Sequence, residues 1–228
     1  MTKVLVIAHR GASGYEPENT LRSVEKALEL GADMVEVDVQ ASRDGHIVVI
    51  HDARLERTTN GKGYVKDLTL EELKKLDAGL GEQIPTLEEV IQLVKGKARL
   101  VVEIKVPGTE KRVLQEIKEN LLEDEALITS FYHPVIRWVK ELNPNVQAGV
   151  IIASRPVKPA QLAIDAKANA LFPKYTFVDQ EMVLVAHKNN LVVYPWTVDT
   201  LSEINPLIKM GVDGIVTNKP SILKSPRP

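Results

Sequence analysis

The 228-residue sequence has no cysteine, which excludes a disulfide framework and any cysteine-ligated metal. No stretch approaches the ~20 apolar residues of a membrane span. No charge dominates either: 29 Lys and Arg stand against 31 Asp and Glu. That balance creates no field for nucleic acid or a membrane surface. Internal repeats and low-complexity tracts are missing. The opening apolar run is short and meets His9 and Arg10 at once, unlike a secretory signal. These absences predict a soluble, cytoplasmic protein with a small-molecule partner, no nucleic-acid partner and no membrane span. They leave the oligomeric state open. Abundant Lys and Glu without cysteine is a trait shared with thermophile proteins.

What is present is alternation. Apolar runs at 4–9, 34–38, 99–105, 126–130, 147–151, 170–173, 191–196 and 214–217 are separated by amphipathic stretches such as 20–30, 110–120, 134–142, 159–167, 180–189 and 200–210. Apolar strands alternating with helices argue for a parallel sheet covered on both faces. Eight such units predict an α/β fold, a (β/α)8 TIM barrel forming one domain over 1–228. Thr69-x-x-Glu72 and Thr86-x-x-Glu89 are capping boxes, and Asp179 and Thr200 are candidate N-caps. One run breaks the alternation. Ile47–His51 follows Glu36–Gln40 with no room for a helix, and Asp44-Gly45 between them signals a two-residue hairpin. Pairing Arg43 with His46 across that turn sets Asp38 opposite His51. Residues 53–85 then form a small insertion after the second strand, over the barrel mouth. The tail 225–228 is expected to fray.

Residues two apart on a strand share a face. Val35, Val37 and Val39 suit the layer under the helices, so Glu36 and Asp38 face the barrel interior. By the same rule Glu103 and Lys105 face inward while Val102 and Ile104 face out. Three buried carboxylates repel one another and lose hydration. A hard divalent ion, Mg2+ or Ca2+, would compensate through oxygen ligands; an ion-pair network with Arg10 and Lys105 is the alternative. His9 ends the first strand and His51 the hairpin, both at the mouth where barrel active sites lie, and histidine titrates near neutrality. Arg10 beside Lys105 suits a phosphate clamp, or else pairs with Glu16 or Glu18. Asn19 and Thr20 are expected to cap the first helix. Trp196 either lines the pocket or fills the upper core. His46, His133 and His187 read as surface residues.

Taken in order, AHRGASGYEPENT, EVDVQASRDG, VIHDARLERTTNGKG, VEIK, PWTVD and DGIVTNKP resemble the glycerophosphodiester phosphodiesterase family over nearly the whole chain. The resemblance implies a hydrolase of glycerol and lipid metabolism that releases glycerol 3-phosphate and an alcohol. It implies His9 and His51 as the acid/base pair. It implies Glu36, Asp38 and Glu103 as ligands of one divalent ion (Mg2+ or Ca2+, with Mn2+ admissible), and Arg10 and Lys105 on the phosphate. It also suggests attack by the glycerol 2-hydroxyl through a cyclic phosphate; the residues alone equally allow attack by water. Asn218-Lys219 stands where an acidic residue is common in the family. Two rivals are a Schiff-base aldolase using Lys105 and a phosphate-binding barrel without turnover. A lipid-active relative would need an exposed apolar rim, and 53–85 holds no long apolar run.

Overall fold

In the computed structural model, which describes residues 3–223, the eight expected runs become parallel strands. They are β1 (Leu5–Ala8), β2 (Met34–Ala41), β4 (Arg99–Ile104), β5 (Ala126–Ser130), β6 (Gln147–Ile152), β7 (Ala170–Pro173), β8 (Val192–Val193) and β9 (Gly214–Thr217). The spatial order is β8-β7-β6-β5-β4-β2-β1-β9, and the added strand β3 (Ile47–Val49) runs antiparallel on β2. Helices α1 (Leu21–Glu29), α3 (Leu87–Val94), α4 (Glu110–Glu119), α5 (His133–Leu142), α6 (Pro159–Asp165), α7 (Gln180–Lys188) and α8 (Leu201–Met210) lie between barrel strands. The run at 191–196 is a strand only over two residues, because Pro195 has no N–H to donate. Three hydrogen bonds still cross the seam to β9: Asp213 N to Val193 O (3.1 Å), Val216 N to Pro195 O (3.0 Å) and Val198 N to Val216 O (2.9 Å). The strands thus form a nearly closed (β/α)8 barrel.

Side-chain alternation divides the barrel into two cores. Val35, Val37, Val39, Val102, Ile104 and Ile128 point outward and pack under helices, against Val90, Ile91 and Val94 among others. Ile7, Met34, Val101, Leu127, Ile151, Phe172, Tyr194 and Val216 fill the interior. Each such buried side chain contributes about 1.5–3 kcal/mol. On β2, β4 and β5 the apolar filling stops short of the C-terminal strand ends, where Glu36, Asp38, Glu103 and Thr129 replace it on the same faces.

The hairpin corrects one expectation. Observed partners are Ala41 with Ile47, Gln40 with Val48 and Val39 with Val49. The register is one residue off the predicted one, so Asp38 stands opposite Ile50, whose N–H donates to the Asp38 carbonyl at 3.0 Å. The physical reason is the loop. It has three residues rather than two, with Gly45 at φ +86° after a turn closed by Gly45 N to Ser42 O at 3.0 Å. His51 is consequently the residue after the pairing ends. Residues 53–85 fold into a small layer with α2 (Leu70–Leu73) and its own core of Val48, Ile50, Leu55, Val65, Leu73 and Ile84. Both predicted capping boxes form. Asp179 caps α7 through its side chain, whereas Thr200 precedes α8 without a capping side-chain bond. Residues 225–228 lie outside the described residues.

Candidate active site

At the C-terminal strand ends, Glu36, Asp38 and Glu103 each present an oxygen within 4.8 Å of the other two, and all three residues are buried. Parallel register sets Asp38 beside Glu103 across β2 and β4. The ion-pair alternative is realised alongside this convergence. Lys105 Nζ lies 2.6 Å from Glu103 and 3.4 Å from Asp38. Arg10 Nε lies 3.1 Å from Asp38, while its Nη1 bonds Glu18 at 2.8 Å rather than Glu16. Glu36 is left out: it has no ion pair among the described residues and accepts only the Arg10 backbone N–H at 2.8 Å. Asp38 Oδ1 is buried without a hydrogen bond.

Burial, with Asp38 and Glu103 nearby, pushes the Glu36 carboxyl well above the ordinary range. Burial and the Asp38 charge raise Glu103 to about 7. Asp38 stays low, because Arg10 and Lys105 outweigh its burial. An oxygen-only trio with one uncompensated buried carboxylate and one orphaned acceptor fits a hard divalent cation, and these three residues could hold it. Lys105 resists deprotonation: burial alone would lower its pKa, but Asp38 and Glu103 raise it. That argues against a Schiff-base lysine.

The connection after β1 bends sharply to set this up. Arg10 and Gly11 have φ +54° and +76°, and a side chain at 11 would collide with Ser23. The turn lays the Arg10 N–H on Glu36 and hands the chain to α1, whose N-cap is Thr20 as expected. Asn19 is not a cap. Its Nδ2 donates to Asp38 Oδ2 at 2.9 Å and its Oδ1 accepts the Asp38 N–H at 3.2 Å.

His9 and His51 line one cavity of about 210 Å3 with Arg10, Glu36, Glu103, Thr129, Phe131, Ile151, Phe172, Trp196 and Val216. Asp38 is sealed beneath that surface. The two histidines have different partners. His9 Nδ1 is 2.8 Å from Asn218 Oδ1. The Asn218 amide is oriented by Asp199, a pure acceptor, which takes its Nδ2–H at 2.5 Å and its backbone N–H at 2.8 Å. The Asn218 oxygen therefore faces His9, Nδ1 carries the proton, and Nε2 keeps the lone pair. Burial, with the Arg10 charge beside it, lowers the His9 pKa below the ordinary value. His51 Nδ1 instead meets a carboxylate, Asp52 Oδ1, at 2.5 Å. Arg57 bonds Asp52 and holds that carboxyl at about 2.

Sequence reasoning placed Asn19 as a cap rather than on Asp38, and assigned no role to Asp52, Arg57, Thr129, Phe131, Phe172, Asp199 or Asn218. Only Asp52 had a local signal, its position beside His51. Trp196 both lines the cavity and packs inward, with Nε1 donating to Phe172 O at 2.7 Å and its ring edge-on to Phe131. His46 and His187 are exposed, while His133 Nε2 sits 3.0 Å from Ile151 O. Exposed apolar side chains follow β4 and β5 at Val106, Phe131 and Tyr132, and 53–85 adds two single ones, Tyr64 and Leu80. Among the described residues no helix is long and apolar enough to cross a membrane.

Comparison with known proteins agrees with this geometry. The model of the Glycerophosphoryl diester phosphodiesterase family matches residues 9–222. A glycerophosphodiester phosphodiesterase of Caldanaerobacter subterraneus subsp. tengcongensis is 46% identical over 234 residues, covering 97% of this chain and 96% of the relative. One from Bacillus subtilis is 33% identical over 249 residues, covering 96% and 85%. Among solved structures, an Oleispira antarctica phosphodiesterase in complex with the product sn-glycerol-3-phosphate superimposes with TM-score 0.92 at 31% identity, covering 97% of this chain and 95% of that one. A glycerophosphodiester phosphodiesterase of Thermotoga maritima has TM-score 0.85 at 28% identity over all of both chains. With a match spanning both histidines, the three carboxylates and the barrel that carries them, the chain belongs to the glycerophosphoryl diester phosphodiesterase family.

Proposed function

We propose that this enzyme hydrolyses glycerophosphodiesters to glycerol 3-phosphate and an alcohol, with His9 as the general base and His51 as the general acid. The observation that carries the reading is the meeting of both histidines with the carboxylate trio in one cavity. Glu36, Asp38 and Glu103 would hold one divalent ion, Mg2+, Ca2+ or Mn2+. When bound, such an ion neutralises charge on the phosphate and makes a nearby hydroxyl more acidic. Arg10 and Lys105 would face the phosphate oxygens as charge builds on them.

The acid/base assignment rests on the partners. A neutral amide oxygen at Nδ1 with Arg10 alongside favours a neutral His9, whose Nε2 lone pair takes the proton of the attacking glycerol 2-hydroxyl. His51, whose Nδ1 is held by the Asp52 carboxylate, gives its proton to the departing alkoxide as the P–O bond breaks. The products of that step are a cyclic phosphate and the free alcohol. Water then opens the ring with the roles reversed: His51 takes the water proton and His9 returns one to the 2-oxygen. General acid or base help of this kind is worth about 10²–10⁴-fold per group.

The deciding assay is release of glycerol 3-phosphate from a panel of glycerophosphodiesters, with and without chelator. Turnover is expected on at least one diester, abolished by chelation and restored by Mg2+, Ca2+ or Mn2+. Full activity in verified metal-free enzyme would remove the ion from the reading.

Arg10→Lys is expected to lower kcat/KM despite conserved charge. The planar fork that bridges Glu18 and Asp38, and would meet a phosphate, is replaced by a point charge. Wild-type kinetics in that variant would leave Arg10 only its contacts to Glu18 and Asp38.

A further inference from the structure

We infer that Thr129 reads the terminal hydroxyl of the glycerol group, making the enzyme selective for diesters in which that hydroxyl is free. The inference rests on the phosphodiesterase reading above. Thr129 sits on β5, in register with Glu103 on one side and Gly149 on the other. It is 1% exposed, lines the cavity, and its Oγ1 is buried without a hydrogen-bond partner. A buried hydroxyl left unpaired costs free energy, so its vacancy points to a partner that arrives with the ligand.

Its surroundings define that partner. The cavity is polar where β1, β2 and β4 end and apolar across β5 to β9, where Phe131, Ile151, Phe172, Trp196 and Val216 contribute no uncommitted side-chain donor. The one apolar-wall N–H, on Trp196, is already bonded to Phe172 O. Gly149 is part of the same arrangement. A Cβ there would stand 2.6 Å from the Phe172 ring, so its absence lets that ring lie across β6 beside Thr129. A wall of C–H and ring surface bearing one free hydroxyl complements a short polyol. Glycerol in a phosphodiester has three oxygens: one is esterified and one is the proposed attacking group. One hydroxyl remains, matching the one free hydroxyl of the wall. The departing alcohol lies elsewhere, because it must reach His51, which is 29% exposed and neighbours Asp52 and Arg57.

The test is a two-by-two comparison of kcat/KM. Wild type and Thr129→Val are each given a glycerophosphodiester and its propane-1,2-diol counterpart, which keeps the attacking hydroxyl and replaces the terminal CH2OH by methyl. Both diesters carry the same alcohol. Wild type is expected to prefer the glycerol substrate roughly tenfold or more. Thr129→Val should lose that preference to within about twofold while matching wild type on the propanediol substrate, and Thr129→Ser should retain it. Because the hydroxyl has no partner in the protein, Thr129→Val should melt no lower than wild type. A valine variant that still discriminates like wild type, or that loses equally on both substrates, would overturn the inference while leaving the phosphodiesterase reading intact. So would a drop in divalent-ion affinity by calorimetry, which would make Thr129 a support of the carboxylates instead. Wild type inert on both diesters would sink the reading and this inference together.

Discussion

Replacing His51 with alanine is expected to cut turnover of an alkyl glycerophosphodiester by about 10²–10⁴-fold, and a nitrophenyl diester should restore most of that loss. An activated leaving group departs without a proton, so it needs no general acid. His9→Ala should lose a similar factor and gain little from the activated diester, because the attacking hydroxyl still has to be deprotonated. The asymmetry follows from Nδ1 partners, an ionised Asp52 for His51 and a neutral Asn218 for His9. Rescue of His9→Ala instead of His51→Ala would invert the assignment. The pH dependence carries the same sign. kcat/KM should rise as pH climbs through the His9 pKa, because only neutral imidazole accepts a proton. Burial and Arg10 place that limb below the ordinary histidine value of about 6.5. A rising limb centred above that value would contradict His9 as the base.

The second large effect concerns Glu36→Gln, where two consequences have opposite directions. Glutamine keeps the size and still accepts the Arg10 N–H, but it removes the buried carboxylate that lacks an ion pair. Turnover is expected to fall roughly 100-fold or more, as a site loses part of the charge that holds its ion. Metal-free protein is expected to melt higher than metal-free wild type, because repulsion with Asp38 and Glu103 is relieved. In wild type, carboxyls raised above their unfolded values stabilise the fold at low pH, and that stability drains as pH rises from about 4.3 through the Glu103 value of about 7. The variant should show a smaller loss over that window. Added Ca2+ should stabilise wild type by about 2.7 kcal/mol at a hundredfold excess over Kd, and the variant far less. Scanning calorimetry with and without ion reads all three effects. Equal ion-induced shifts in both proteins would remove Glu36 from the ligand set.

The carboxylates were legible because a polar residue on an otherwise apolar strand declares its face: Glu36 between Val35 and Val37 can only point inward. The same period was silent on β5 to β7. There both faces are apolar, so nothing in ALITS or ALFP distinguishes Thr129 and Phe172, which look into the cavity, from Ile128 and Leu171, which look away. The hairpin was visible as Asp44-Gly45, yet its register slipped by one because the choice between two- and three-residue loops turns on where the positive φ falls. Asn19 sits where a cap is expected and is spent on Asp38 instead, a contact set by the left-handed turn at Arg10 and Gly11. The partners of His9 could not be found locally at all, since 209 positions separate it from Asn218.

That separation has a consequence for how the enzyme comes into being. β1 emerges first during synthesis and β9 last, yet they are neighbours in the finished barrel. A nascent chain that has reached β4 already possesses all three carboxylates, Arg10, Lys105 and both imidazoles. It still lacks the apolar wall of the cavity and the Asn218 amide that turns the His9 lone pair toward it. The His9–Asn218 contact can form only after the last strand has been made.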